Sequence, residues 1–101
     1  MFKRLSPVEA ASSIKSNPKL KVIDVRTVGE FEAYHIPTAE NIPMHLIPHK
    51  ISEMEKNETY LIICEHSVRS VQVCYFLESQ GFENIINIDG GMSEYPGEIT
   101  N

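Results

Sequence analysis

The run Thr59-Tyr60-Leu61-Ile62-Ile63-Cys64 constrains this chain more than any other stretch. A strand sends successive side chains to opposite faces, so a run that is apolar at every position leaves no face for water. Such a strand belongs at the centre of a sheet covered on both sides, which calls for helices on both faces.

The rest of the chain supplies those elements in alternation. Ser6-Pro7-Val8-Glu9 opens a helix, with Ser6 as cap, Pro7 in the first turn and Glu9 completing a capping box. That helix runs to about Ser16, where Asn17-Pro18 breaks it. Leu20 to Val25 reads as a strand, and Thr27-Val28-Gly29-Glu30 repeats the capping-box pattern for a short helix reaching about Tyr34. Between Ile36 and Pro48 three prolines impose a loop, with a brief strand near Glu40-Asn41-Ile42 and a helical turn or two from about Ile47 to Lys56. Val68 to Gln80 has apolar residues at helical spacing and ends at Gly81, a left-handed cap. Ile85-Ile86-Asn87-Ile88 is the last strand, and Asp89-Gly90-Gly91 turns into a short terminal helix. The 101 residues suit one α/β domain spanning 1–101, with a mainly parallel central sheet of about five strands and right-handed crossovers.

Charge narrows the function. Nine Lys plus Arg against fourteen Asp plus Glu give a formal net charge of -5. An acidic surface repels phosphate backbones and anionic lipid, so neither nucleic acid nor a membrane surface is expected as partner. No apolar run approaches the ~18 residues of a membrane span. The first residues lack the apolar stretch of a signal peptide, so the expected location is the cytoplasm, where thiols stay reduced. Cys64 and Cys74 are then free thiols rather than a bridge.

The two cysteines occupy different kinds of position. Cys74 is in phase with the apolar face of its helix and reads as core filling. Cys64 ends the most buried strand just before a helix begins, where sites lie in open α/β sheets. If Cys64-Glu65-His66-Ser67-Val68-Arg69 curls around the sulfur, backbone N–H groups, the helix amino terminus and Arg69 all direct positive charge at it. Such surroundings lower a thiol pKa from ~8.5 to roughly 3.5–7.5, and an exposed thiolate there is a nucleophile.

Four segments in order then match a known pattern. Val22-Ile23-Asp24-Val25-Arg26 with Glu30-Phe31, His35-Ile36-Pro37 through Ala39, Asn41, Ile42 and Pro43, Cys64 with Arg69-Ser70, and Gly81-Phe82, Asn84 and Gly90-Gly91-Met92 together resemble the rhodanese-homology domain. The resemblance covers almost the whole chain. It implies a sulfurtransferase in which Cys64 takes sulfane sulfur from a donor (thiosulfate, a persulfide or a polysulfide), holds it as a persulfide, and passes it to a thiol or other nucleophile. The loop Glu65, His66, Ser67, Val68 and Arg69 is then the substrate pocket, its amides stabilising the anionic terminal sulfur. The family implies no metal and no organic cofactor, and some members work with a partner protein.

Rival readings remain open. A non-catalytic or redox-sensing rhodanese-like module would also keep a reactive Cys64. Cysteine phosphatases and arsenate reductases of related fold hold five residues between Cys and Arg, whereas four lie between Cys64 and Arg69. Three positions depart from the family pattern. Ser67 stands where many members have glycine, so it carries strain if φ is positive there, and its hydroxyl is a candidate donor to bound sulfur. Glu65 either repels a dianionic donor such as thiosulfate or points into solvent. Tyr95 replaces a frequent tryptophan and bears on packing.

Among the histidines, His45 and His49 are separated by Pro48 and do not form a metal pair, His35 matches a structural position, and His66 either tunes Cys64 or is a spectator. Arg26 is expected to pair with Glu30 and brace the loop.

Overall fold

A computed structural model describes residues 1–101. It contains β1 (Lys3–Leu5), α1 (Pro7–Ser16), β2 (Lys21–Asp24), α2 (Val28–Ala33), β3 (Ala39–Asn41), α3 (Ile47–Lys50), β4 (Thr59–Ile63), α4 (Val68–Ser79) and β5 (Asn84–Ile88). Short 3-10 turns at Met44–Leu46 and Ile51–Glu53 flank α3. The five strands form one sheet in the order β1-β5-β4-β2-β3, every neighbouring pair parallel.

β4 lies at the centre, as its apolar run requires. Tyr60, Ile62 and Cys64 face one core with Ile23, Val73, Cys74 and Leu77, under α4. Leu61 and Ile63 face the other with Ala10, Ile14, Ile36 and Met92, under α1 and the C-terminal segment. Each of these fully buried aliphatic side chains contributes about 1.5–3 kcal/mol.

Both capping boxes form. Ser6 Oγ accepts from the Glu9 N–H while Glu9 accepts from the Ser6 N–H, and Thr27 and Glu30 do the same for α2. Gly81 has φ 91° beyond the end of α4.

Two elements differ from the sequence reading. β1 was not recognised: its register pairs Lys3 with Ile86 and Leu5 with Ile88 at the sheet edge. The terminal helix is absent. Gly90 and Gly91 both have positive φ (79° and 64°), the next two N–H groups donate to carbonyls of Cys64 and Glu65, and the single turn that follows, closed by Glu94 and Tyr95 on Gly91 and Met92, does not continue. The chain then runs on to a single antiparallel bridge between Thr100 and His35.

The topology places the site. From β2 the chain goes outward to β3, then crosses back to lay β4 on the other side of β2. The carboxyl ends of β2 and β4 thus meet where the strand order reverses, the Val25 N–H donating to the Ile63 carbonyl at 2.9 Å.

Candidate active site

Cys64 follows directly on β4 and keeps its alternation, which turns the sulfur beneath the first turn of α4. The Ser70 N–H donates to Sγ at 3.2 Å, and the Ser70 hydroxyl lies 3.3 Å from Sγ while donating to the Ser67 carbonyl. Ser70 is the third residue of α4, where an N-cap side chain ordinarily accepts this N–H. Ser67, the N-cap residue, makes no such bond. The Cys64 sulfur therefore takes the acceptor's place at the positive end of a 12-residue helix.

The thiol is not exposed, as the sequence suggested; Cys64 retains 1% of its accessible surface. The cause is the closing turn. The Met92 N–H donates to the Cys64 carbonyl at 2.8 Å and the Ser93 N–H to the Glu65 carbonyl at 3.1 Å. Gly91 lies so close that a Cβ there would collide with both carbonyl oxygens.

The loop Glu65 to Arg69 does curl around this end of the helix. Its five backbone N–H groups donate to no group of the protein, leaving consecutive donors free for an anion. Ser67 has φ 72°, the strained left-handed conformation expected of a residue in a glycine position. Its hydroxyl contacts the Ile88 carbonyl at 3.4 Å, so it does not donate toward the sulfur. The His66 ring is 3.2 Å from Ser93 Oγ and exposed, and Val68 is also exposed.

The ion pairs differ from expectation. Arg26 does not pair with Glu30. It is buried beside buried Asp24, its Nη2 2.8 Å from Oδ2 and its Nε 3.0 Å from Oδ1, and it also donates to the Tyr34 carbonyl and to Glu65 at 3.2 Å. Burial works against the Arg26 charge, but the hydrogen bonds and charge of Asp24 outweigh it and raise its pKa. The Glu65 carboxylate also accepts from the Tyr34 hydroxyl at 2.9 and 3.2 Å. It thus faces inward onto a guanidinium and a phenol, neither into solvent nor bare beside the sulfur.

Glu30 instead reaches Arg69, in two parallel bonds of 2.7 and 2.9 Å. The Arg69 hydrogen bonds pull the Glu30 carboxyl down to about 2, against the opposing effect of burial. Glu30 can do both jobs because its position at the third residue of α2 lets Oε1 accept from the Thr27 N–H as well. Ser70 and Gly91 entered the sequence reading only as motif residues, without these contacts, and the roles of Tyr34 and of the Glu30–Arg69 pairing were missed. A serine at the third helical position after a strand-end cysteine was the available signal for Ser70.

Cys74 is fully buried and burial pushes its thiol up to about 12, as befits core filling. His35 is structural: its ring stacks on Phe31 at 3.8 Å and its Nδ1 is 2.7 Å from the Phe31 carbonyl. His45 and His49 are both exposed, and no group of three or more His, Cys, Asp or Glu side chains is placed to hold a metal ion. No helix is long and apolar enough to cross a membrane.

Comparison with known proteins agrees with this architecture. Residues 6–98 match the sequence profile of the rhodanese-like domain. The thiosulfate sulfurtransferase GlpE of Pseudomonas entomophila is 34% identical over 101 aligned positions, covering 96% of this chain and 91% of that protein. A sulfurtransferase of Allochromatium vinosum is 39% identical over 71 residues, 70% of this chain and 66% of its own. A crystal structure from Staphylococcus saprophyticus superposes with a TM-score of 0.90 at 37% identity over 99% of this chain and 100% of the other. The rhodanese-like domain protein of Staphylococcus aureus does so at 0.87 and 34%, over 96% and 94%. With the profile spanning nearly every element and a curated relative 34% identical over 96% of this chain, the chain belongs to the rhodanese-like domain family.

Proposed function

We propose that this protein is a sulfurtransferase that carries sulfane sulfur as a persulfide on Cys64. The observation that carries the reading is the placement of the Cys64 sulfur at the amino end of α4, under the Ser70 N–H and beside five unpaired amides from Glu65 to Arg69. The names of the relatives GlpE and the Allochromatium vinosum protein support the same reaction class.

In the forward half-reaction Cys64 attacks the outer sulfur of a small sulfane donor, and the donor's remainder departs with the bond's electron pair. The Cys64 persulfide so formed has an anionic terminal sulfur, which the free loop amides solvate as an oxyanion hole solvates oxygen. In the second half-reaction a thiol or other nucleophile attacks that terminal sulfur and regenerates Cys64. Nothing in this cycle needs a redox cofactor, because sulfane sulfur changes carriers without net gain or loss of electrons.

The rival chemistries fit less well. A redox sensor and a sulfur carrier both need access to Cys64, so its burial weighs on the two alike, and the names of the relatives favour transfer. A phosphatase cradle has to surround a tetrahedral oxyanion, and the arginine that closes such a cradle is here tied to Glu30.

The test is steady-state kinetics with a persulfide donor and cyanide as acceptor. A two-stage cycle gives parallel double-reciprocal lines and no thiocyanate from Cys64→Ser; intersecting lines, or a mutant as active as the parent, contradict it.

A further inference from the structure

Three carboxylates and two guanidiniums stand at or under the Cys64 loop, and every cation is engaged. Arg26 is committed to Asp24, the Tyr34 carbonyl and Glu65, and retains 1% of its surface. Arg69 is committed to Glu30 through both of its terminal nitrogens. Asp24, Glu30 and Glu65 against Arg26 and Arg69 leave this cluster one negative charge in excess, before any donor arrives.

The free amides do not discriminate among donors, because they serve the sulfur being transferred, which is common to all. Discrimination falls to whatever meets the rest of the donor. The Glu30–Arg69 pair is available for that: its side chains keep about a third of their surface (33% and 32%), and Arg69 ends the loop that follows the buried Cys64. In sequence the pair is flanked by Val28 and Val68, both exposed apolar side chains at the starts of α2 and α4. Arg69 is thus a neutralised cation with exposed apolar neighbours in sequence rather than a free positive charge.

We propose that Glu30 is the specificity-determining residue of this site: by holding Arg69 it directs Cys64 toward organic persulfides R–S–SH, which place no anionic oxygens next to the transferred sulfur, and away from thiosulfate, whose sulfonate is bonded directly to it. The proposal rests on the sulfurtransferase reading. The chemistry is the same for either donor. From R–S–SH, a Cys64 S–S bond forms as the donor S–S bond breaks, and the electron pair leaves on the thiolate R–S⁻, which takes a proton from water. From thiosulfate the same attack expels sulfite. The sulfonate of thiosulfate, unlike R, needs a cation, and to reach Arg69 it has to displace two charge-assisted bonds and then sit beside the Glu30 carboxylate. The name of the relative GlpE points to thiosulfate for that protein; the charge arrangement of this chain points elsewhere.

The test compares kcat/KM for thiosulfate and for glutathione persulfide, with cyanide as acceptor, in the parent chain, Glu30→Gln and Glu30→Gln/Arg69→Ala. Glutamine keeps an oxygen for the Thr27 N–H, so α2 stays capped; Glu30→Ala, which retains the other half of the capping box, is the second variant should the first fold poorly. The parent is expected to prefer the persulfide by well over tenfold. Glu30→Gln is expected to raise thiosulfate use by about tenfold while changing persulfide use less than about threefold, and removing Arg69 as well is expected to erase the gain. Equal use of both donors by the parent, or an unchanged donor ratio in both Glu30 variants, overturns the proposal while leaving the sulfurtransferase reading intact. Transfer from neither donor overturns both.

Discussion

The Ser70 N–H points at the Cys64 sulfur from 3.2 Å, so the reactive atom itself caps the helix that follows it. Folding and chemistry are joined at this contact. The helix cannot form its first turn without placing an amide on the sulfur, and the sulfur cannot leave without uncapping the helix.

Ser70 adds a hydroxyl 3.3 Å from the sulfur, which accepts from the Cys64 thiol and donates to the Ser67 carbonyl. Ser70→Ala keeps the amide but deletes that hydroxyl, so kcat/KM for sulfur transfer is expected to fall by about tenfold, with stability lowered by about 1 kcal/mol. Kinetics and a urea titration check both. Unchanged kinetics would show that the amide alone serves the sulfur.

Gly91 buttresses the loop from below. Its φ of 64° is accessible to other residues at a cost, but the space is not, because a Cβ would overlap the Cys64 and Glu65 carbonyl oxygens. Gly91→Ala is expected to destabilise by about 2–4 kcal/mol and to reduce transfer sharply, since relief moves Cys64 itself. Urea denaturation and donor kinetics give the two readouts.

Asp24 and Arg26 form a buried pair that also anchors Glu65 and the Tyr34 carbonyl. Removing one partner leaves the other charged and dry, so Arg26→Met is expected to cost about 3–5 kcal/mol in a urea titration. The same substitution frees Glu65 from its only cation.

Much of this was legible in the sequence and some was not. The uninterrupted apolar run of β4 and the two capping boxes depend on residues close in sequence, and all three appear where they were read. β1 escaped because it has three residues, the first two exposed and charged, and its stabilising partner is β5, more than 80 positions away. The terminal helix was expected after the Asp89-Gly90-Gly91 turn, but only one turn forms, Glu94 and Tyr95 donating to Gly91 and Met92, while the Met92 and Ser93 amides hold the Cys64 and Glu65 carbonyls, a contact no local pattern reports. At the site, the position of Cys64 and its loop followed from the strand–helix junction. The partners did not. Arg26 and Glu30 are four residues apart and invite pairing, yet burial next to Asp24 claims the arginine and leaves Glu30 to a residue 39 positions distant.

The Glu30–Arg69 pair predicts a pH dependence. In the unfolded chain a glutamate titrates near about 4.3. In the folded protein Arg69 holds it to about 2. Between these values the unfolded state binds more protons, so stability rises with pH there. The contribution is complete above about pH 4.3 and is lost as pH falls through about 2. The pair is partly exposed, so its worth is about 1 kcal/mol. The stability difference between the parent chain and Glu30→Gln, from urea midpoints, is expected to be present at neutral pH and to shrink progressively below about pH 4; a difference independent of pH would contradict it.

The central claim is that Cys64 carries sulfur. Intact mass spectrometry after incubation with a polysulfide or cysteine persulfide tests it most directly, with Cys64→Ser alongside. The account predicts a gain of one sulfur atom that cyanide or a thiol removes and that the variant lacks. A parent chain that gains no sulfur from any sulfane donor, although Cys64 reacts with an alkylating agent, would contradict it.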